Sequence, residues 1–228
     1  MESIFLEKYN LTKNNKKILE NIDFIFDDNL SLIGPSPSGK TSLLRVLEEK
    51  YGVIRIYKKN IFFSSSVEDE LKYLLLSDSQ KRLVQKLLPG VNLLNNPNNL
   101  KNHDKIKLSI LRGILINNGF ISFDNIFTYV SNDDKNKIIE YLKLNNIKYI
   151  IVSNDLNELF NTNKTYILNE GKIIAYGDSD KVLLEEKLLK RLGFKLPFMI
   201  DLSLQLKTYK LINSIYYDKN ILIDKLWK

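Results

Sequence analysis

At 228 residues with no cysteine, the chain can bury one substantial core and at most a small appended part, and it can hold neither a disulfide framework nor a thiolate metal site, which suits a reducing compartment. The net charge of +7 invites nucleic acid or an anionic membrane surface as partner. However, only five of the 34 basic residues are arginines (Arg45, Arg55, Arg82, Arg112, Arg191), whereas base-edge and bidentate phosphate recognition favour the guanidinium fork, so scattered, solvated lysine is the first reading, membrane proximity the second, and no nucleic-acid partner is expected.

Residues 3 to 9 and 22 to 26 read as short strands joined by a polar turn from Thr12 to Lys17, and LSLIG (30 to 34) reads as a buried strand ending in glycine. The following segment, TSLLRVLEEKYG, keeps Leu43, Leu44 and Leu47 on one face and stops at Gly52, the pattern of an amphipathic helix. A strand pair is expected next, Val53 to Tyr57 with Ile61 to Phe63. Two helices follow, VEDELKYLLL and SDSQKRLVQKLL, ended by Pro89 and Gly90. NLLNNPNNL reads as a polar linker without a pattern of its own. Beyond it come a helix (KIKLSILRGILI), a buried strand (FISFD), a helix (DDKNKIIEYLKL), the strand YIIVSND, the strand pair TYILNEG and KIIAYG, and a Lys- and Leu-rich helical tail. Alternating strands and helices give an α/β fold around a largely parallel sheet. No apolar run approaches the roughly 18 to 20 residues that cross a bilayer, and the first residues lack a basic-then-apolar signal segment. The expectation is therefore a chain that neither spans a membrane nor is exported.

Gly34-Pro35-Ser36-Pro37-Ser38-Gly39-Lys40-Thr41 matches the phosphate-binding pattern G-x-x-x-x-G-K-[ST]. In that pattern glycines let successive backbone N–H groups wrap a polyphosphate, the lysine reaches the terminal phosphates, and the hydroxyl ligates magnesium. A match arises by chance in roughly one chain of this length in a hundred. Its position between a buried strand and an amphipathic helix removes most of those accidents, so a nucleoside triphosphate is the expected ligand.

From LEKYNLT through GPSPSGKTSLLRVL, FFSSSVEDEL, LKNHDKIKLSILRGIL, FISFDN, IIVSNDLNEL and YILNEGKIIAYGD, the order and spacing resemble the ATP-binding cassette (ABC) superfamily. FFSSSVEDEL and the tail EEKLLKRLGFKLPFMIDLSLQLK look like the A-component ATPases of energy-coupling factor (ECF) transporters, which power uptake of vitamins or metal ions. The resemblance implies an ABC-type P-loop fold with a small antiparallel part. It divides the chain into a cassette over residues 1–180, with a helical subdomain near 67–118, and a helical extension over 181–228. ATP and magnesium are the implied cofactors. The phosphate loop with Ser42 would hold the nucleotide, Thr41 and Asp124 the metal, and Tyr9 stands where the family stacks an aromatic on adenine, with a packed core tyrosine as the close second reading there.

The departures are as informative. The general-base glutamate expected after Asp124 is Asn125, an amide that orients water but cannot take its proton. The histidine that touches the γ-phosphate in the family is Asn154, and the aspartate expected after Val130 is Ser131. The glutamine that links the metal to the membrane subunit falls near Ile56 without a gap and matches no residue. The signature loop aligns with Leu100-Lys101-Asn102-His103-Asp104, which has lost both glycines. Either it still meets a phosphate across a dimer, through Lys101 or His103, or it is a polar loop before a helix capped by Asn102 or Asp104. Binding residues are kept while those that drive water attack are changed. The resemblance thus implies a catalytically weakened A-component on the cytoplasmic face of the membrane, paired with a second, competent ABC ATPase and joined to a membrane T-component and a substrate-binding S-component. A non-hydrolysing structural or regulatory subunit is the alternative. A soluble cassette ATPase acting on nucleic acid or ribosomes is disfavoured, because such proteins usually carry paired cassettes or long coiled-coil insertions, for which this length leaves no room.

Overall fold

The computed structural model describes residues 3–58, 61–116 and 119–227. The last two positions of the expected helical subdomain, 117–118, lie outside them. The chain opens with an antiparallel hairpin, β1 (Ile4–Lys13) and β2 (Lys16–Phe26). Both strands run longer than the sequence suggests because the turn is only Asn14-Asn15, each with positive φ (50° and 58°), which is the tight hairpin geometry that asparagine tolerates.

β3 (Leu30–Ile33) is buried along its whole length. It sits inside a six-stranded sheet with β4 (Ile54–Ile56), β5 (Phe120–Asp124), β6 (Lys148–Val152), β7 (Lys164–Asn169) and β8 (Lys172–Asp178), in the order β4-β5-β6-β3-β7-β8. All neighbours pair in parallel except β7 and β8. A strand with parallel neighbours on both sides and layers on both faces has no solvent-facing side, so LSLI is mostly apolar and its one polar side chain, Ser31, is buried and hydrogen-bonded to Thr162 Oγ1 at 2.7 Å.

Helix α1 (Lys40–Tyr51) buries Leu43, Leu44, Val46 and Leu47 and is closed by Gly52 in the left-handed conformation (φ 68°), as its sequence predicts. On the other side of the sheet lie α2 (Val67–Leu71), α3 (Asp78–Leu87), α4 (Asn102–Leu115) and α5 (Asn132–Leu144), around a core that includes Leu87, Leu108, Leu111 and Phe123. Three charged pairs lock these elements. Arg112 Nη1 meets Glu70 Oε1 at 2.9 Å, Lys107 Nζ meets Asp134 Oδ2 at 2.8 Å, and Lys135 Nζ meets Glu158 Oε1 at 2.9 Å.

Four expectations are corrected. Ile61 to Phe63 is not a strand: the Asn98 side chain accepts from the Phe62 N–H at 3.0 Å and donates to its carbonyl at 2.8 Å, doing what a strand neighbour would do. VEDELKYLLL breaks after one turn at Lys72 (φ 49°) into a 3-10 turn, Tyr73–Leu75. NLLNNPNNL is structural, since the carbonyls of Asn95 and Leu93 accept from the first N–H groups of α2, donors that a helix cannot satisfy itself. Finally, the strand in YIIVSND ends at Val152, leaving Ser153, Asn154 and Asp155 as a loop.

The tail forms α6 (Ser179–Leu183), α7 (Glu186–Arg191), α8 (Phe198–Thr208) and α9 (Lys219–Leu226). Val182, Leu183, Leu189, Phe194 and Ile200 share a core with Ile33 of β3 and Ile167 of β7. Among the described residues no helix is long and apolar enough to cross a membrane.

Candidate functional site

The loop from Gly34 to Gly39 leaves the end of β3 and enters α1. Both glycines are demanded by space. A Cβ on Gly34 would lie 1.9 Å from the Leu168 carbonyl oxygen, and one on Gly39, whose φ is 101°, would lie 2.9 Å from Leu19 Cδ2 and 3.1 Å from the Ile18 carbonyl oxygen. The hairpin and β7 therefore press the loop into shape from behind. Lys40 is buried and its ammonium lies back inside the loop, donating to the carbonyls of Gly34 (2.6 Å) and Pro35 (3.0 Å) and to Ser38 Oγ (3.1 Å). Burial lowers its pKa, with Asp124 acting in the opposite sense.

Thr41, in the first turn of α1, donates from Oγ1 to Asp124 Oδ1 at 3.2 Å. Two sequence-expected residues 83 positions apart are thus brought together at the ends of adjacent elements. Asn125 follows Asp124 with a left-handed backbone (φ 54°); its N–H donates to the Val152 carbonyl at 3.2 Å, and its side chain is on the exposed side. Asn154 is also exposed, and with Gly34, Pro35 and Ser36 it lines a cavity of about 520 Å³ closed by the turn Leu192 to Lys195 of the tail. Pro37 is exposed, and Ser42 is half-buried.

Other expectations land elsewhere. Tyr9 packs partly against the core beneath the hairpin, with Lys50 Nζ 4.3 Å from its ring centroid. Ile56 is buried and fits against the bare backbone of Gly113, where a Cβ would come within 2.5 Å of it, so the position aligned with the glutamine is a packing residue. Asn102 and Asp104 do not cap α4: both lie within it, the N-cap is Lys101, and no side chain closes it. Asp104 instead places its charge in the first turn, where the helix dipole favours it, with His103 Nε2 3.3 Å from its carboxylate. Ser131 caps α5 by accepting from the Asp134 N–H at 3.1 Å.

One residue was missed. Arg55, on β4, donates from Nη1 to Asp124 Oδ2 at 3.1 Å and from Nε to Glu48 Oε2 at 2.8 Å. The only signal for it in the sequence is a charged residue between two isoleucines of a short strand.

The comparisons agree with this geometry. No family model matches the chain. An energy-coupling factor transporter ATP-binding protein, EcfA1, of Mesomycoplasma hyopneumoniae is 24% identical over 262 aligned positions, spanning 96% of this chain and 95% of that protein. A nucleotide-free ATP-binding cassette from an ABC transporter superposes with a TM-score of 0.68 at 16% identity, covering 86% of this chain and all of that one. A bacterial Atm1-family ABC exporter with ATP bound gives a TM-score of 0.71 at 14% identity over 84% of this chain, which spans only 41% of the exporter chain. The chain thus has the fold of an ABC ATP-binding cassette and is similar over nearly its whole length to energy-coupling factor transporter ATP-binding proteins.

Proposed function

We propose that the chain is the ATP-binding subunit of an ECF-type importer for a vitamin or metal ion, and the catalytically weakened half of a heterodimer of two ABC ATPases. The observation that carries this reading is the pairing of a complete phosphate loop, with Lys40 buried inside it, and neutral amides at Asn125 and Asn154. The loop N–H groups, Lys40 and the start of α1 supply positive potential for the triphosphate. Neither amide can relieve an attacking water of its proton, so the site holds ATP more readily than it cleaves it. The partner ATPase would supply the competent site.

The adenine contact assigned to Tyr9 belongs to this reading, and Lys50 would have to leave the ring face it now covers. Thr41 Oγ1 and Asp124 Oδ1 are hard oxygens of the kind magnesium takes beside phosphates and water. The charge of Asp124 is, however, already matched by Arg55, and no step of the reading runs through the metal. The division at about residue 180 is retained, with the shared core of tail and sheet favouring an extension rather than an independent unit. For the T-component, the exposed apolar residues Phe63, Leu75 and Ile116 around a cavity of about 470 Å³ offer a seat on the helical side. The test is calorimetric titration of the purified chain with ATP, followed by turnover of the assembled complex. Micromolar binding without turnover by the chain alone supports the reading; failure to bind ATP refutes it. The non-hydrolysing alternative draws on the same amides and is distinguished by a complex in which only the partner's site turns over.

A further inference from the structure

Arg55 occupies the side of Asp124 that Thr41 leaves open. Its guanidinium bonds Asp124 Oδ2 at 3.1 Å and Glu48 Oε2 at 2.8 Å, and its Cζ lies 4.4 Å from the centroid of the Tyr57 ring. The Arg55 and Asp124 side chains are only 10% and 8% exposed. Burial works against the Arg55 charge, but the bonds to Glu48 and Asp124 outweigh it and its pKa is raised; an arginine in a protein does not lose its proton in any case. A permanent cation thus stands against the carboxylate that would otherwise lend its charge to a metal at the phosphate site. Glu48 shares the delocalised guanidinium charge and contributes more to the upward shift than Asp124 does, but its side chain is 40% exposed and solvent screens it, whereas the buried Asp124 carboxylate has Arg55 as its close cation.

We propose that Arg55 supplies the charge that a divalent cation would supply at Asp124, so that this site binds a nucleoside triphosphate with little dependence on magnesium. The inference rests on the reading of Gly34 to Thr41 as a nucleotide site. A metal approaching Thr41 and Asp124 meets a carboxylate with both oxygens engaged and its charge compensated, and gains little by arriving. The triphosphate is met instead by Lys40 and the loop N–H groups, while Arg55 neutralises the carboxylate beside them.

The experiment is isothermal titration of the full chain with ATP in magnesium buffer and again in EDTA. The expected result is a dissociation constant that changes by less than about threefold between the two. Arg55→Gln, which leaves the Asp124 charge unmatched, is expected to make affinity depend on magnesium by about tenfold or more, while Arg55→Lys, which keeps a cation, retains the insensitivity. A wild-type chain whose affinity falls tenfold or more in EDTA overturns the inference whatever the variants do, so a variant that fails to fold leaves the decision intact. An Arg55→Gln protein as indifferent to magnesium as the wild type also overturns it, by removing Arg55 as the cause. Absence of binding in both buffers refutes the nucleotide site itself, an outcome separate from binding that merely requires magnesium.

Discussion

Lys40 is held by three oxygens of its own loop, and its neutral replacement removes the mobile cation from the pocket while leaving those acceptors to water. Lys40→Ala is expected to abolish measurable ATP binding, checked by calorimetry, with little change in unfolding midpoint. The Asn125 position tests the missing base. With the partner's catalytic glutamate mutated, Asn125→Glu in the assembled complex is expected to raise turnover by about 10²-fold, the usual worth of general-base assistance. The same change should cost the chain about 1 kcal/mol of stability, because glutamate tolerates the left-handed backbone at 125 less well than asparagine. Asn154→His should add little alone and more in combination, since under the proposed reading the two introduced side chains would act on one transition state. If the double variant binds ATP yet stays inactive, the silence of the site lies elsewhere, at Arg55 or in the signature that the partner presents. On β5, Ser122 Oγ is buried without a hydrogen-bond partner among the described residues, and Ser122→Ala is expected to stabilise the chain by up to about 1 kcal/mol in a denaturant titration.

Among the elements, the helical side depends on pairs that span α4 and α5. Asp134 is buried; desolvation raises its pKa, but the side-chain bonds its carboxylate accepts from Lys107 and Ser131 and the nearby charges outweigh it, and the net shift is downward. A carboxylate lowered in the folded state contributes stability above its unfolded pKa and loses that contribution as pH falls through the folded value. Asp134→Asn should therefore destabilise the chain by about 2 kcal/mol near neutral pH, and the gap between variant and wild type should close below about pH 4, as followed by thermal melts. This level also marks what the sequence discloses. β3, the phosphate loop and α1 are legible because their signals are local: a short, mostly apolar segment ending in glycine, two glycines in the loop, a 3.6-residue stripe and a glycine stop. The misread segment Ile61 to Phe63 has the composition of a strand, but composition does not say that an asparagine side chain 36 residues on satisfies its backbone. The Arg55–Asp124 contact joins residues 69 apart on neighbouring parallel strands, a pairing fixed by sheet order rather than by any pattern along the chain. Thr41 is legible in the local phosphate-loop pattern, whereas Asp124 is picked out only because a family resemblance carries its role across the same kind of gap.

For the whole molecule, the two amides and the glycine-less start of α4 bear on assembly. A head-to-tail pair of identical chains would set an Asn125 and Asn154 pocket against Lys101 to Asp104 on both sides, leaving neither site with a general base. The working complex is therefore expected to contain a second ATPase chain, which native mass spectrometry of the isolated complex checks; two copies of this chain with ordinary turnover would contradict it. The packing of the tail on the root of the phosphate loop reaches further, into how the protein is made. Ile33 precedes the loop by one residue, yet Val182, Leu189 and Ile200, which cover it, come about 150 residues later. On the ribosome the strand that carries the loop leaves the exit tunnel long before its cover exists, and sheet pairing on either side of it also waits for β6 and β7. Domains generally fold as units once their last element is available. A nucleotide that binds the folded loop can therefore stabilise the strand only after its cover has been made, and until then the nascent segment must stay out of aggregates without that help.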